Sequence, residues 1–426
     1  MQIETLYSYF KESSGICTDT RKINNRCLFF ALKGENFDGN KYAQEALDMG
    51  ALKVIIDDIQ YQKNTGETIL CENSLKTLQE LATFHRRQLD IPIIAITGSN
   101  GKTTTKELVY AVLSQKFKTT ATIGNLNNHI GVPLSLLSMT HETEFGIIEM
   151  GANHLKEISA LCDIALPDYG YITNFGKAHL EGFGSIEGVI QGKTELYSYL
   201  KQPGKKVFVN GRDKTQVLNS ETLDRITFGN EQSDCEVQLI DASSRLSVSY
   251  KGLSIQSQLI GKYNFDNIAA AIAIGDYFKV PPENIKQAIE SYIPQNNRSQ
   301  LIEKNSNSII LDAYNANPTS MLAALKNFYQ ASGKEKVLFL GDMFELGHEA
   351  EQEHQSIVNF LEENHIGNVY LVGNNFFKTT ISASYIFKYE SFDTLKEYLK
   401  TNSFKNKYIL IKASRGMALE RIIDLI

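Results

Sequence analysis

A glycine-bearing loop between an apolar run and a helix is the strongest chemical signal in the sequence. The loop reads ITGSNGKTTTKE over residues 96–107 and follows the apolar run 91–97. Gly98 and Gly101 let the backbone approach a phosphate closely, and the helix predicted to begin near Lys102 presents its positive N-terminal end. Lys102 can reach the β- and γ-phosphates of a nucleotide, and the Thr103 hydroxyl can ligate Mg²⁺.

This loop is shorter than the common phosphate-binding pattern. G-x-x-x-x-G-K-[ST] requires glycine at position 96, where this chain has Ile96 within the predicted strand. The glycines alone would fit an ordinary strand-to-helix turn. Because Lys-Thr-Thr follows them in the correct register, the loop favours nucleotide binding.

Three other side chains could serve phosphate chemistry, although each also has an ordinary structural explanation. Glu149 comes at the end of an apolar strand, where parallel sheets bind ligands, and its carboxylate is a suitable Mg²⁺ ligand. A solvated strand-end carboxylate explains it about equally well. His179 is ambiguous by itself, because most lone histidines are structural or lie at the surface. Lys193 could simply be a solvated helix lysine.

The surrounding pattern predicts an α/β protein of three domains. Residues 1–88 mix short strands with helices and predict a small mixed α/β domain. Residues 89–295 alternate apolar strands with helices, which predicts a central ATPase domain built on a parallel sheet. Within it, residues 235–260 alternate apolar and polar side chains with a period of two, which predicts antiparallel strands. A Pro- and Asn-containing stretch, 291–300, predicts a linker. Residues 296–426 then alternate again and predict a Rossmann-like, doubly wound domain.

Composition narrows the functional classes. The 426-residue chain carries a net charge of −6, which argues against a general nucleic-acid binder. Its five cysteines are scattered without a C-x-x-C pair, as in a reduced cytoplasmic protein. The first residues lack a secretion signal, and no apolar run reaches the roughly 18 residues of a membrane helix. We therefore expect a cytoplasmic protein without membrane insertion.

Taken in order, the motifs resemble those of the Mur ligase superfamily, over nearly the whole chain. The matching motifs are the loop 96–107, EMGA (149–152), TNFGKAHLE (173–181), Lys193, GKYNFDNIAAA (261–271), Arg298 and DAYNANPTSM (312–321). The resemblance implies an ATP- and Mg²⁺-dependent ligase that joins a carboxylate to an amine through an acyl-phosphate.

Several stretches are similar to one branch of the superfamily, which adds D-alanyl-D-alanine to UDP-N-acetylmuramoyl-tripeptide for peptidoglycan synthesis. They are residues 18–40, 124–137, 312–321, 340–347 and 412–420. Three positions depart from the usual pattern. Thr20 replaces Ser and keeps the hydroxyl, whereas Asn297 and Ala413 stand where glycine is frequent and raise a question of local backbone geometry.

The resemblance implies a role for each polar position that matches. The ATP-binding set is Gly98, Ser99, Asn100, Gly101, Lys102, Thr103, Thr104, Asn264, Asn267, Arg298, Asp312, Asn315 and Asn317. The metal set is Thr103, Glu149 and His179, and the catalytic set is Lys102, Glu149, His179 and Lys193, with a possible carbamate on Lys193. The substrate-binding set is Asp19, Thr20, Arg21, Lys33, Gly34 and Glu35 for the uridine diphosphate end, and Asn125, Asn127 and Asn128 for sugar and peptide.

Some of these positions keep a second explanation from the residues alone. Asn264 and Asn267 could cap a helix or form a turn, and the asparagines at 125–128 could form a polar turn. The expected partners are the two small-molecule substrates, and the chain is expected to be a monomer. The third residue of the tripeptide, diaminopimelate or lysine, stays open.

Other functions remain as alternatives. Another ligase of the superfamily, such as a folylpolyglutamate synthetase, is the nearest, although YNANP (314–318) and GNLNN (124–128) argue against it. An NTP-dependent switch or transporter ATPase would usually have the full phosphate loop. A non-catalytic nucleotide-binding module is the third. Phosphate release that requires both a carboxylate and an amine would distinguish a ligase from the last two.

Overall fold

The N-terminal part of the computed structural model, which describes residues 2–295, 297–331 and 333–426, is built on a small parallel sheet. Its strands are β1 (Ile16–Cys17), β2 (Leu28–Phe30), β3 (Lys33–Gly34), β4 (Phe37–Asp38), β5 (Lys53–Ile56) and β6 (Thr68–Leu70), and its helices are α1 (Ile3–Glu12), α2 (Ala43–Asp48) and α3 (Ser74–Leu89). The sheet order is β1-β2-β5-β6, and β3 pairs with β4 as a hairpin. β2 is apolar at every position because one face packs in the core shared with α1 and α3, and the other packs with α2.

The central part contains nine strands and eight helices among its described residues. The strands are β7 (Ile93–Thr97), β8 (Thr119–Ala121), β9 (Phe145–Glu149), β10 (Tyr169–Ile172), β11 (Lys206–Asn210), β12 (Arg225–Phe228), β13 (Gln238–Asp241), β14 (Arg245–Tyr250) and β15 (Leu253–Ile260). The helices are α4 (Lys102–Leu113), α5 (Gly131–Leu137), α6 (Glu157–Ala165), α7 (Leu180–Phe183), α8 (Ile186–Leu200), α9 (Lys214–Asn219), α10 (Phe265–Tyr277) and α11 (Pro282–Ser291).

Six of these strands form a parallel sheet in the order β12-β11-β10-β7-β9-β8. β7 is buried at all five positions because helices cover both faces of the sheet. Since β9 and β10 flank β7, the segments that follow these three strands meet at one edge. The antiparallel sheet β13-β14-β15 confirms the prediction from the period-two pattern at 235–260.

The C-terminal part repeats the layered arrangement. Its strands are β16 (Gln300–Lys304), β17 (Asn307–Asp312), β18 (Glu335–Gly341), β19 (Asn368–Val372), β20 (Ile386–Tyr389) and β21 (Lys407–Lys412), and its helices are α12 (Pro318–Gln330), α13 (Ala350–Asn364), α14 (Asn374–Lys378) and α15 (Phe392–Thr401). The order is β16-β17-β21-β18-β19-β20, with β16 antiparallel to β17 and the other pairs parallel. Apolar side chains pack on both faces, which confirms the doubly wound prediction.

The junctions between the three parts differ in character. α3 packs on α1 and β2 and also on α5 and α6, so the end of the N-terminal part shares its core with the central part. α11 ends at Ser291 and β16 begins at Gln300, and Asn296, within the predicted linker, lies outside the described residues. The predicted limits of the three domains stay predictions. Among the described residues, no helix is both long enough and apolar enough to cross a membrane.

Candidate active site

A cavity of about 600 Å³ lies between the central and C-terminal parts, at the carboxyl ends of β7, β9 and β17. It brings together most of the predicted site residues, namely Ser99, Asn100, Gly101, Lys102, Thr103, Thr104, Asn125, Asn127, Asn128, Glu149, His179, Asn264, Asn267, Arg298, Asp312 and Asn315. This is where open α/β sheets bind ligands, because strand ends and the helix N-termini that follow them meet there.

The loop after β7 needs glycine at two positions. Gly98 and Gly101 adopt φ values of 138° and 80°, which side-chain-bearing residues rarely reach. A Cβ on Gly98 would come within 2.0 Å of Thr173 Oγ1, and one on Gly101 within 2.5 Å of Asn267 Oδ1. The close fit keeps the loop backbone next to the cavity, as a phosphate-binding loop requires.

Lys102 places a positive charge at the start of α4. Its Nζ donates to the carbonyl of Gly98 at 2.6 Å and to that of Ser99 at 3.3 Å. Burial lowers the pKa of Lys102 to about 8, while the nearby charge of Glu149 opposes that shift. The ammonium is therefore still mostly protonated at neutral pH and can stabilise phosphate charge.

Glu149 is buried with one of its carboxylate oxygens uncommitted. Oε1 accepts a hydrogen bond from Asn127 Nδ2 at 2.8 Å, whereas Oε2 has no hydrogen-bond partner among the described residues. Only 1% of the residue is exposed, so Oε2 cannot be satisfied by bulk water. An uncommitted, buried carboxylate oxygen in a nucleotide-sized cavity fits a Mg²⁺ ligand.

Lys106 lies beside Glu149 and was missed as a site residue, although it belongs to the loop motif. Its Nζ is 3.8 Å from Glu149 Oε2 and donates to the carbonyl of Gly124 at 3.2 Å. Burial lowers its pKa, and the charge of Glu149 opposes that shift. Lys106 therefore links the end of β9 to the loop that begins at Gly124.

The asparagine loop, residues 124–128, is held by its own side chains. Asn127 supports Glu149, and Asn128 Oδ1 accepts from the backbone N–H groups of Ile130 and Gly131 at 3.1 and 2.9 Å, where α5 begins. Asn125, Asn127 and Asn128 all line the cavity, and the last two also make structural hydrogen bonds that the sequence did not reveal.

Asn264 and Asn267 form a bonded pair at the start of α10. Asn267 Nδ2 donates to Asn264 Oδ1 at 2.8 Å, and Thr105 Oγ1 donates to Asn267 Oδ1 at 3.0 Å. Asn264 Nδ2 donates to the carbonyl of Ile260 at 2.8 Å. The pair therefore organises a turn and also lines the cavity, and its role in nucleotide binding stays a prediction.

Arg298 forms the opposite wall of the cavity. Its guanidinium lies 3.7 Å from the ring centre of Tyr314, and its buried Nε has no hydrogen-bond partner within the described part of the chain. A guanidinium that stacks on one face keeps its N–H groups available for a phosphate.

The two glycine replacements cause no backbone conflict. Asn297 adopts a left-handed φ of 57°, which asparagine tolerates well, and Ala413 is not among the residues with positive φ. The local backbone of this chain is therefore compatible with the side chains of Asn297 and Ala413.

Both carboxylate oxygens of Asp312, which was predicted to bind a ribose hydroxyl, already accept hydrogen bonds within the protein. Oδ2 accepts from Lys412 Nζ at 2.6 Å, and Oδ1 accepts from the backbone N–H of Ser299 at 3.2 Å. Lys412 is 1% exposed and lines the cavity, so it is a site residue that we did not identify from the sequence. The remaining acceptor capacity of Asp312 is still compatible with a ribose hydroxyl.

Side chains of the C-terminal part bind directly to the central loops. Asn317 caps α12 and also donates from Nδ2 to Asn100 Oδ1 at 2.8 Å. Nδ1 of His179 is hydrogen-bonded to Oε2 of Glu345, and this bond lowers the pKa of Glu345. Gly98 and Asn317, which were predicted to bind ATP, lie next to the cavity but do not line it. Glu345 was not among the site residues predicted from the sequence.

Lys193 lies behind the cavity wall on α8. It is fully buried, its Nζ donates to the carbonyl of Ala152 at 3.0 Å, and it lies 5.0 Å from the ring centre of Phe183. Burial lowers the pKa of Lys193 well below its usual value, and the charge of Lys102 lowers it further. Lys193 therefore differs from the solvated helix lysine that was the ordinary alternative.

The predicted uridine diphosphate contacts lie outside this cavity. Arg21 forms an exposed ion pair with Asp19, which caps the turn that starts at Thr20, and Lys33 in the hairpin β3-β4 pairs with Asp57 at 3.0 Å. Within the described ranges, no three His, Cys, Asp or Glu side chains are grouped closely enough to hold a metal by themselves.

Three stretches of the chain match domains of known families. Residues 12–92 match the Mur ligase family catalytic domain, 96–275 the Mur ligase middle domain, and 297–415 the Mur ligase glutamate ligase domain.

Relatives and solved structures match over nearly the full length. A protein of Bacillus subtilis named UDP-N-acetylmuramoyl-tripeptide–D-alanyl-D-alanine ligase is 36% identical to this chain, over 97% of this chain and 93% of that protein. The Escherichia coli protein of the same name is 32% identical, over 96% of this chain and 92% of that protein. MurF from Acinetobacter baumannii has a TM-score of 0.86 at 28% identity and covers 98% of both chains. MurF from Thermotoga maritima in complex with ADP has a TM-score of 0.83 at 26% identity and covers 96% of both.

The matched domains cover most of the chain, and their order is that of the N-terminal, central and C-terminal parts described above. The glycine loop, Glu149 and the Arg298 wall lie in one cavity between the second and third of these domains. On both grounds, the chain belongs to the Mur ligase family.

Proposed function

We propose that this enzyme adds D-alanyl-D-alanine to UDP-N-acetylmuramoyl-tripeptide, with hydrolysis of ATP to ADP, in peptidoglycan precursor synthesis. The observation that carries the proposal is the cavity lined by a phosphate loop, Glu149 and Arg298, where Glu149 Oε2 and Arg298 Nε accept or donate no hydrogen bond among the described residues. The names of the relatives supply the substrates, and the ADP complex of the Thermotoga maritima neighbour supports ATP as the nucleotide.

The reaction follows from the charges in the cavity. The terminal carboxylate of the tripeptide attacks the γ-phosphorus of ATP, which forms an acyl-phosphate and releases ADP. The amine of D-alanyl-D-alanine then attacks the acyl carbon, phosphate leaves, and the nitrogen loses a proton as the amide forms. Lys102 and Arg298 stabilise the transferred phosphoryl group, which requires charge and position more than a protein nucleophile.

Mg²⁺ is part of the proposal. Glu149 would hold it through Oε2, with Thr103 and His179 completing the protein side and phosphate oxygens supplying further ligands. When bound, the ion neutralises charge on the phosphoryl oxygens. The buried Oε2 without a partner supports this assignment.

A carbamate on Lys193 is a further part of the proposal. A buried lysine with a strongly lowered pKa has the neutral amine that carbon dioxide requires, and the amine loses a proton as the carbamate forms. The modification would convert the amino group behind the cavity into an anionic group carrying two oxygens. We also propose that the N-terminal residues Asp19 to Arg21 and Lys33 to Glu35 hold the uridine diphosphate end, and that the enzyme is a cytoplasmic monomer.

A phosphate-release assay tests the function. The enzyme is given ATP and UDP-muramoyl-tripeptides that carry lysine or diaminopimelate as third residue, with and without D-alanyl-D-alanine. We expect sustained release only with both substrates, and the preferred tripeptide identifies the third residue. Release that ignores the dipeptide, or that requires glutamate and a folate instead, would contradict the proposal.

An isotope experiment tests the acyl-phosphate. With ¹⁸O in the terminal carboxylate of the tripeptide, we expect the label to appear in the released phosphate, because a carboxylate oxygen bonds to the γ-phosphorus and leaves with it. Mass spectrometry of the phosphate measures the transfer, and ¹⁸O-labelled water with unlabelled substrate is the control. Product formed together with unlabelled phosphate would exclude this chemistry.

A further inference from the structure

The loop after β18 reaches from the C-terminal part to the cavity wall that holds His179. Glu345 on this loop accepts a hydrogen bond from Nδ1 of His179, and its own carbonyl accepts from the backbone N–H of Glu181 at 3.3 Å. Gly347 packs beside Glu181, where an added Cβ would lie 3.4 Å from the Cα atom. The contact between the two loops thus involves both backbone and side chain.

This hydrogen bond determines which ring atom of His179 is available. When Nδ1 carries the proton and donates a hydrogen bond to Glu345, the lone pair of the neutral ring lies on Nε2. Since His179 lines the cavity, Nε2 is the atom that can ligate a cation there. A carboxylate behind a ligating histidine fixes the ring orientation and makes the ligand more basic.

We propose that Glu345 is a positioning residue, which orients His179 so that Nε2 ligates the divalent cation of the nucleotide complex. This inference rests on the proposed function, because it assumes a metal–nucleotide complex in the cavity. Glu345 belongs to the C-terminal part and His179 to the central part. The ring of His179 is therefore oriented by Glu345 only when these two parts are docked, which couples metal binding to that docking.

A second contact between the same two parts of the molecule, made from helices α12 and α13, provides a matched control. Lys177 Nζ pairs with Glu353 at 2.5 Å, and the backbone N–H of Lys177 donates to Thr319 Oγ1 at 2.9 Å. Glu353 therefore also joins the C-terminal part to the 177–181 loop, but its partner is Lys177 and not His179. If Glu345 only held the two parts together, the loss of Glu353 would have a comparable effect.

The test measures binding of Mn²⁺ to the full-length protein in the presence of saturating ADP, by electron paramagnetic resonance. We expect Glu345→Ala to weaken Mn²⁺ binding about 10- to 100-fold. Glu345→Gln should recover most of the affinity, because its amide oxygen can still accept from Nδ1. Glu353→Ala should bind Mn²⁺ as the unaltered protein does, and Glu345→Ala should have no further effect in a His179→Ala background.

Three results would overturn the inference: unchanged Mn²⁺ binding in Glu345→Ala, an equal loss in Glu353→Ala, or a Glu345→Ala effect that persists without His179. The Glu345 side chain is 51% exposed, so its replacement leaves no buried cavity, and circular dichroism checks the fold. ADP binding without metal is measured in parallel and should not change. Failure of the proposed function would appear elsewhere, as phosphate release by the unaltered enzyme that ignores the tripeptide or the dipeptide.

Discussion

Lys102→Ala should lower turnover by about 100-fold or more while the protein remains folded. The ammonium at the start of α4 donates to the carbonyls of Gly98 and Ser99 and lies in the cavity with Glu149. In a site with little water, removal of one preorganised charge leaves the transferred phosphoryl group without compensation. Steady-state phosphate release with both substrates measures the loss, and circular dichroism establishes that the fold is intact.

Two controls make this result specific. Lys118→Ala removes an exposed lysine whose partner, Glu142, is also exposed, and such surface pairs contribute little, so turnover should not change. Lys102→Arg keeps the charge but changes the length and shape of its donor group, so it should remain impaired. A folded Lys102→Ala protein with nearly normal turnover would show that the loop is not the phosphate site.

Lys193→Ala should also lower turnover by roughly 100-fold, if its carbamate supplies negative charge to the metal site. The side chain is fully buried, and burial lowers its pKa well below the usual value, which favours the neutral amine that reacts with carbon dioxide. Activity of the unaltered enzyme should fall in buffer depleted of carbon dioxide and return with bicarbonate. Small carboxylates such as formate or acetate should partly restore the alanine variant by occupying the vacated space.

The matched control for this variant is Lys193→Met, which fills the same buried volume without an amine. It should be as inactive as Lys193→Ala but should not be restored by small carboxylates, because no space is vacated. With ¹³C-bicarbonate, a carbamate resonance should appear in the unaltered enzyme and be absent from both variants. If bicarbonate has no effect and no carboxylate restores activity, the carbamate must be abandoned, and Lys193 is at most a cationic contact.

The strands with the weakest sequence signal lie at the edges of the sheets. β8, β12, β16 and β20 each lie at the end of a sheet, and they are short or carry partly exposed residues. Such strands bury less apolar surface than β7 or β9, so their hydrophobic signal is weak. β16 even begins at the last residue of the stretch predicted as a linker, since pairing with β17 and not composition makes it a strand.

The types and spacing of neighbouring residues were sufficient to predict the nucleotide loop from the sequence. The apolar run of β7, the two glycines and the Lys-Thr-Thr that starts α4 are contiguous, so their types and spacing can be recognised within one short segment. The same is true of the period-two strands β14 and β15 and of the cap of α12 at Asn317. For these parts, residue type and spacing by themselves determined the structure and a large share of the chemistry.

The partners of the site residues were decided only by tertiary structure. Lys412 meets Asp312 across 100 positions, and Glu345 meets His179 across 166. Lys106, which lies in the loop motif itself, joins Glu149 only because α4 packs against β9. Each of these side chains taken alone is an ordinary polar residue. What makes it part of a site is a partner on another element, and such partners meet when the sheets stack and the C-terminal part docks on the central loops. Residue spacing does not encode such contacts, because the packing of distant elements, and not the local backbone, brings the two charged side chains together.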